Sequence, residues 1–208
     1  RDAQHPPPVD IRIATAADID RAAETITLAF AIDPVWEVAL RRPDGRVDHH
    51  QPYWRTFVAA AQEQGNVWLL DAGAAVAVWI PPGGRELSDD ALTELERFNE
   101  ETLGADGARE MAELYERFEA NHPAAPAHAY LSLLATHPDQ RGRGIGQALL
   151  AASLGRWDEL GVPAYLESTN PANDHRYERA GFRRLGAFRA VRDGAPITTM
   201  WRSPATGP

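Results

Sequence analysis

The sequence predicts an α/β (α+β) domain in which helices flank a mixed sheet of about seven strands. Three observations carry this. Segments of strand-like patterning interleave with segments of helical period along the chain, so both element types share one core. The run from His128 to Thr136 is short and nearly continuously apolar, the pattern of a central strand covered on both faces. A turn with three alternate glycines, Gly142, Gly144 and Gly146, then joins that strand to a helical segment. The 208 residues, 44% of them hydrophobic, suffice for one elaborated domain, and no composition shift marks a linker.

Taken in order, residues 1–9 read as a Pro-rich flexible lead without the apolar core of a signal peptide. Asp10 to Thr15 alternates as a first strand, and Thr15 with Asp18 forms a capping-box pattern before Ile19, Ala22, Ala23, Ile26 and Phe30 at helical spacing. Asp33-Pro34 breaks that helix, and Val47 to Gln64 forms a second one with Trp54, Phe57, Val58 and Ala61 on one face. Val67 to Asp71 and Ala74 to Ile80 flank Ala72-Gly73 as a tight hairpin, which Pro81-Pro82-Gly83-Gly84 ends. Residues 86–122 read as a helical insert, with helices at Asp89 to Asn99 and Ala108 to Ala120. After the glycine-rich turn come a helix from Gly144 to Leu160, a strand from Ala164 to Glu167 and a short helix from Asn173 to Arg179. Strands from Arg184 to Val191 and Ile197 to Trp201 complete a single domain at 10–203, with a tail at 204–208.

Composition excludes several function classes. All 21 basic residues are arginine, so a lysine-dependent phosphate loop and a pyridoxal phosphate Schiff base are both impossible. The net charge of -9 argues against a nucleic-acid partner, and no apolar stretch approaches the roughly 20 residues that span a bilayer. The absence of cysteine removes disulfides and thiolate chemistry and fits a cytoplasmic enzyme. Twelve acidic residues face three arginines between Glu86 and Glu119, and two readings compete: a solvated helical face, or attraction of a cationic substrate. The apolar face of Met111, Leu114, Tyr115 and Phe118 could also form a dimer contact, so monomer and homodimer both stay open. The pair His49-His50 lacks a third ligand at suitable spacing and is not read as a metal site.

The segment Arg141-Gly142-Arg143-Gly144-Ile145-Gly146-Gln147 points to phosphate binding. Glycines let the backbone approach an anion, exposed amides at a helix start point at it, and the two arginines add full charge. A dinucleotide fingerprint would need glycine or alanine where Gln147 stands.

With these residues in view, the chain resembles the GNAT superfamily of N-acetyltransferases. Arg141, Gly144 and Gly146 match its cofactor signature, and Asn170 through Tyr177 to Gly181-Phe182 resembles a second one. A looser likeness to puromycin N-acetyltransferase-like members lies in Ala74 to Trp79, Ala29-Phe30 with Asp33-Pro34, and Val162 to Glu167. The resemblance implies a mostly antiparallel, twisted sheet and acetyl-coenzyme A as co-substrate, without a metal. It implies that the strand ending at Thr136 splays from the Ala164 strand, and that the cofactor lies along Leu134, Ala135 and Thr136. Asn170 and Asn173 would complete that site, and Tyr177 matches the general acid that serves the departing sulfur. The other reading of Tyr177 is a ring packing its helix on the sheet.

For the base, Glu167 stands first, because it ends a central strand where open sheets place ligands; an ordinary exposed carboxylate is the alternative. Its replacement by glutamine would then hurt most at low pH. His128, His137 and His175 are weaker candidates, with His137 in the phosphate turn and the others read as surface residues. The acceptor expected is a small-molecule primary amine. A non-catalytic acyl-coenzyme A sensor and a protein acetyltransferase remain the competing functions.

Overall fold

The computed structural model describes residues 9–192 and 194–206. The lead expected at 1–9 therefore lies outside the described residues but for Val9, as do the last two residues of the tail. One seven-stranded sheet forms the centre, built from β1 (Ile11–Ile13), β2 (Val67–Leu70), β3 (Ala75–Ile80), β4 (Ala129–Thr136), β5 (Ala164–Ser168), β6 (Arg183–Arg189) and β7 (Pro196–Arg202). The strand order is β1-β2-β3-β4-β5-β7-β6. Every neighbouring pair is antiparallel except β4 and β5. The helices are α1 (Ile19–Phe30), α2 (Trp36–Ala39), α3 (His50–Glu63), α4 (Asp89–Asn121), α5 (Ile145–Glu159) and α6 (Asp174–Arg179). No described helix is long and apolar enough to cross a membrane.

Two irregularities of β4 create the site. Its parallel pairing with β5 is confined to Ala129 with Ala164 and Tyr130 with Tyr165, so the strands part beyond Tyr130 and leave a wedge. The second is a bulge against β3: Val78 pairs with Leu133 and Trp79 with Leu131, which leaves Ser132 as the extra residue. A one-residue slip sends side chains to the opposite face. Ala129 and Leu131 consequently pack beside α5 with Leu149 and Leu154, whereas Leu133 and Ala135 join Ile26, Trp54 and Val58 of α1 and α3. An unbroken apolar run hides such a switch, since either face accepts the same residue types.

The structure corrects several expected elements. Asp71 and Ala72 both adopt positive φ (47° and 56°), so the β2–β3 connection is a wider 3₁₀ turn at Asp71–Gly73, not a two-residue hairpin. Asp33 does more than end α1. Its Oδ1 accepts hydrogen bonds from the amides of Val35 and Trp36 (2.9 and 3.1 Å) and so starts α2, which the sequence reading lacked. The two helices expected in the insert run together as α4, bent at Gly104 (φ 75°, ψ 174°). The apolar face left open as a dimer contact is used within the chain: Met111 and Leu114 are buried, and Phe118 stacks on Trp36 with ring centroids 6.0 Å apart. Thus α4 forms one wall of a chamber floored by β4 and β5.

Candidate active site

A groove of about 470 Å³ follows the wedge between β4 and β5 and ends on the glycine-rich turn. Leu134, Ala135 and Thr136 line it from β4, and Arg141, Gly142, Gly144, Ile145, Gly146 and Gln147 from the turn and the start of α5. Asn170, Asn173 and Tyr177 form the other bank. Arg143 is the expected cofactor residue that does not line the groove; its guanidinium donates to the side chain of Gln140 instead.

The glycines divide their work. Gly142 and Gly144 hold φ of 81° and 72°, which side chains disfavour, and no atom lies within 4 Å of where a Cβ would stand on either. Gly146 is required for packing: its Cβ would meet Thr136 Oγ1 at 2.5 Å, so glycine lets α5 close on β4. With Gly144 as N-cap, the first amides of the 15-residue α5 lack intrahelical partners and aim their dipoles at the groove. Asn170 Oδ1 accepts from the amide of Ala172 (3.1 Å) and Asn173 Oδ1 from Arg176 (3.2 Å), which fixes the loop carrying both.

A larger cavity of about 720 Å³ lies on the other side of the wedge, walled by α1 to α4, β4 and β5. Phe30, Asp33, Leu134, Asn170, Asn173 and Tyr177 border both spaces, so the two meet there. Tyr177 is half-buried at this junction, and its hydroxyl has no hydrogen-bond partner among the described residues. Burial, with the negative charges of Asp33 and Asp174 nearby, pushes the phenol up to about 12, against a smaller opposing effect of Arg176. It therefore stays protonated at physiological pH.

Glu167 lines the larger cavity and not the groove. The exposed-carboxylate reading falls, because its side chain is 2% exposed. Oε1 accepts from the Tyr130 hydroxyl at 2.6 Å, whereas Oε2 has no partner. Burial pushes this carboxyl up to about 8; the Tyr130 and Tyr165 hydroxyls favour the charged form and Glu86 opposes it. His122 Nδ1 stands 3.7 Å from Oε2, but burial and His128 hold His122 down at about 4. With the carboxyl largely protonated and the imidazole neutral near pH 7, this approach is not an ion pair.

Sequence reasoning missed Asp33, Glu86, His122, Tyr130 and Ser132. Glu86 was visible only as one acid among twelve, yet it lies in the chamber, bonded by the Ser132 hydroxyl at 2.6 Å and raised above the usual carboxylate range by burial. Ser132 reaches it because the bulge turns that residue out of the β3 ladder. Asp33, 6% exposed, accepts from Thr169 Oγ1 at 2.7 Å and so ties the end of α1 to the loop after β5. His128, read as a surface residue, is half-buried in the cavity wall, its ring centroid 5.2 Å from that of Trp201. His137 accepts from the amide of Asp139 (3.2 Å), and His175 is exposed on α6. His49 is buried with Nε2 2.6 Å from the Leu40 carbonyl.

A family model described as an acetyltransferase (GNAT) domain matches residues 99–184, from mid-α4 through the wedge, the glycine-rich turn and Tyr177. Over that stretch the chain is similar to GNAT acetyltransferase domains. A mycothiol acetyltransferase of Propionibacterium freudenreichii subsp. shermanii is 32% identical over 124 residues, covering 58% of this chain and 34% of that protein. The chain thus spans about a third of the length of that curated relative. A solved structure described as histone acetyltransferase HPA2 and related acetyltransferase, from Corynebacterium glutamicum, superposes with a TM-score of 0.66 at 26% identity, covering 96% of this chain and 98% of that one. Arylalkylamine N-acetyltransferase 2 from Aedes aegypti shares the fold, with a TM-score of 0.66 at 14% identity over 95% of this chain and 99% of the other. The GNAT fold agrees with the mixed sheet and flanking helices that the sequence predicts.

Proposed function

We propose that this GNAT domain is an acetyl-coenzyme A-dependent N-acetyltransferase acting on a small primary amine by direct transfer. The observation that carries the reading is the meeting of groove and chamber at Tyr177, with the buried carboxyl of Glu167 on the chamber side. The groove fits the cofactor: Gly142 and Gly144 leave space over their backbone, Arg141 brings charge, and β4 beyond Tyr130 has no parallel partner on its wedge side. Arg141 and the amides of Ile145, Gly146 and Gln147 would hold the phosphates, and Leu134 to Thr136 the pantetheine. Bound there, the cofactor supplies an activated acetyl thioester. Glu167 takes a proton from the acceptor ammonium, for which a value of about 8 is well matched. Tyr177 keeps a hydrogen bond ready for the sulfur that departs.

The chamber's carboxyls, whose ionised form a neighbouring ammonium favours, suit a cationic acceptor. Asp33, Glu86, Glu119 and Glu167 line it, and Arg85 is the only arginine among the described residues that do. Glu86 and Glu119 are the only acids of the 86–119 run in that lining, which narrows the steering idea to two positions. Replacing both with glutamine is expected to raise the acceptor KM severalfold and weaken its salt dependence, since charges act over a Debye length of about 8 Å. Glutamine at Glu113, which is exposed and paired with Arg117 at 2.6 Å, and at exposed Glu116 should change neither. Steady-state kinetics across ionic strength check this; equal effects at both pairs would dismiss steering.

The overall reading is tested by incubating acetyl-coenzyme A with a panel of alkyl and arylalkyl amines and following free thiol. Release that depends on the amine supports an N-acetyltransferase. Tight cofactor binding with no release for any amine would favour the sensor, and release only with peptides would favour a protein acetyltransferase.

A further inference from the structure

We propose that His122 and His128 are the path by which the proton collected at Glu167 leaves the chamber, with His122 Nδ1 receiving it first. The inference rests on Glu167 being the base. Acetylation of an ammonium by a thioester yields amide, thiol and one proton. Of the two protons that nitrogen gives up, one ends on sulfur and the other on the Glu167 carboxylate. With a side chain 2% exposed, and an acceptor or product filling the space in front of it, Glu167 needs a route to solvent between turnovers.

The hydrogen bonds fix the direction of that route. His128 Nδ1 lies 2.8 Å from the Pro126 carbonyl oxygen, which can only accept, so Nδ1 carries a hydrogen. A neutral imidazole has one N–H, which leaves His128 Nε2 as an acceptor. His122 Nε2, 2.8 Å from it, must therefore donate. The remaining nitrogen of His122, Nδ1, is then bare, and it is the atom that faces Glu167 Oε2 at 3.7 Å. Oε2 is the oxygen without a partner, Oε1 being held by Tyr130. A bare nitrogen thus looks at the unpartnered oxygen of a carboxyl acid, across a gap that closes by about 1 Å to reach hydrogen-bond length, as contacts in unliganded sites often do.

Transfer proceeds with every proton accounted for. The Oε2–H bond of Glu167 breaks as an N–H bond forms at His122 Nδ1; His122 then gives its Nε2 proton to His128 Nε2, and His128, half-exposed, gives its Nδ1 proton to water. The carboxylate is restored, and each imidazole returns to its starting tautomer by exchange with water, losing the proton from the newly protonated nitrogen as it takes one up at the other. The other groups facing the relay are Tyr130 and Tyr165, with ring centroids 4.9 and 4.6 Å from that of His122, and Glu86, which acts on Glu167. Burial holds His122 low, so its imidazolium passes the proton on and does not store it.

Two measurements test the relay. In the free protein, ¹⁵N NMR of the rings should show His122 as the Nε2–H tautomer and His128 as the Nδ1–H tautomer; the reverse pair would overturn the route. In turnover, His122→Phe, which keeps ring packing, and His128→Gln, on a half-exposed wall, should each lower kcat about tenfold without changing the KM for acetyl-coenzyme A. Added imidazole buffer should restore both variants in proportion to its concentration and leave the wild type unaffected. A loss that no buffer restores marks a structural role, and wild-type kcat in both variants likewise overturns the relay. If Glu167→Gln is inactive while both histidine variants turn over normally, the base stands and the relay alone falls. If Glu167→Gln keeps wild-type turnover, the base reading fails and takes the relay with it.

Discussion

Glu167→Gln is expected to lower kcat by about 10² to 10⁴-fold at pH 8, the range that general base catalysis supplies, with the affinity for acetyl-coenzyme A unchanged. The glutamine is nearly isosteric and can still accept from Tyr130, so the chamber keeps its shape while losing the proton acceptor. The pH dependence follows from burial. With the carboxyl pushed up to about 8, wild-type kcat/KM should rise through that value, and the variant should lack this limb. The defect is then largest at and above pH 8 and shrinks at low pH, where the wild-type carboxyl is itself protonated. This reverses the order the sequence suggests, in which the base at Glu167 is needed most at low pH because the acceptor amine is mostly protonated there. Stability moves the opposite way. A carboxyl whose folded value lies above its unfolded one binds its proton more tightly in the native state, so its contribution is full below the unfolded value near 4.5 and is lost as pH rises through about 8. Thermal melts from pH 5 to 9 should show the wild-type Tm falling more steeply than that of the variant. Parallel melting curves together with an unchanged pH–rate profile would mean that Glu167 titrates as an exposed acid.

The glycine-rich turn was legible in the sequence because few arrangements need three alternate glycines between a buried strand and a helix. Gly142 and Gly144 occupy left-handed backbone as such a turn requires, and Gly146 meets Thr136. The strands were legible for a related reason: alternation and apolar runs report burial directly. The chamber was not, because its chemistry is assembled from residues far apart in the chain. Asp33 meets Thr169 across 136 positions, and Tyr130 meets Glu167 across 37. No local pattern announces either contact. Ser132 shows the same limit at short range, since the bulge that aims it at Glu86 is a property of pairing with β3. Glu167 was found by its place at the end of a strand, but its burial, and with it the reversed pH order, depends on Tyr130, Tyr165 and His122 arriving from other positions.

Tyr177→Phe should lower kcat about a hundredfold and leave the binding of acetyl-coenzyme A nearly unchanged, because the phenol proton is used only as the carbon–sulfur bond breaks. The ring itself packs edge-on to Phe182, centroids 6.2 Å apart, and phenylalanine keeps that contact, so the variant isolates the hydroxyl. At about 12 the phenol lies above an ordinary thiol near 8.5, and it does not protonate the thiolate unaided. As the general acid it would stabilise developing charge on sulfur as a hydrogen-bond donor, and would complete the transfer on regaining a proton from the acylated nitrogen. Two consequences separate this from a packing role. The loss should be uniform from pH 6 to 9, because the phenol stays protonated throughout and the limb from Glu167 is untouched. It should also shrink with an acetyl donor whose thiol is more acidic, such as an aryl thioester, since a better leaving group needs less help. Single-turnover rates with both donors make the comparison at the chemical step. An equal loss for both donors would assign Tyr177 to packing, and no loss for either would remove it from the reaction.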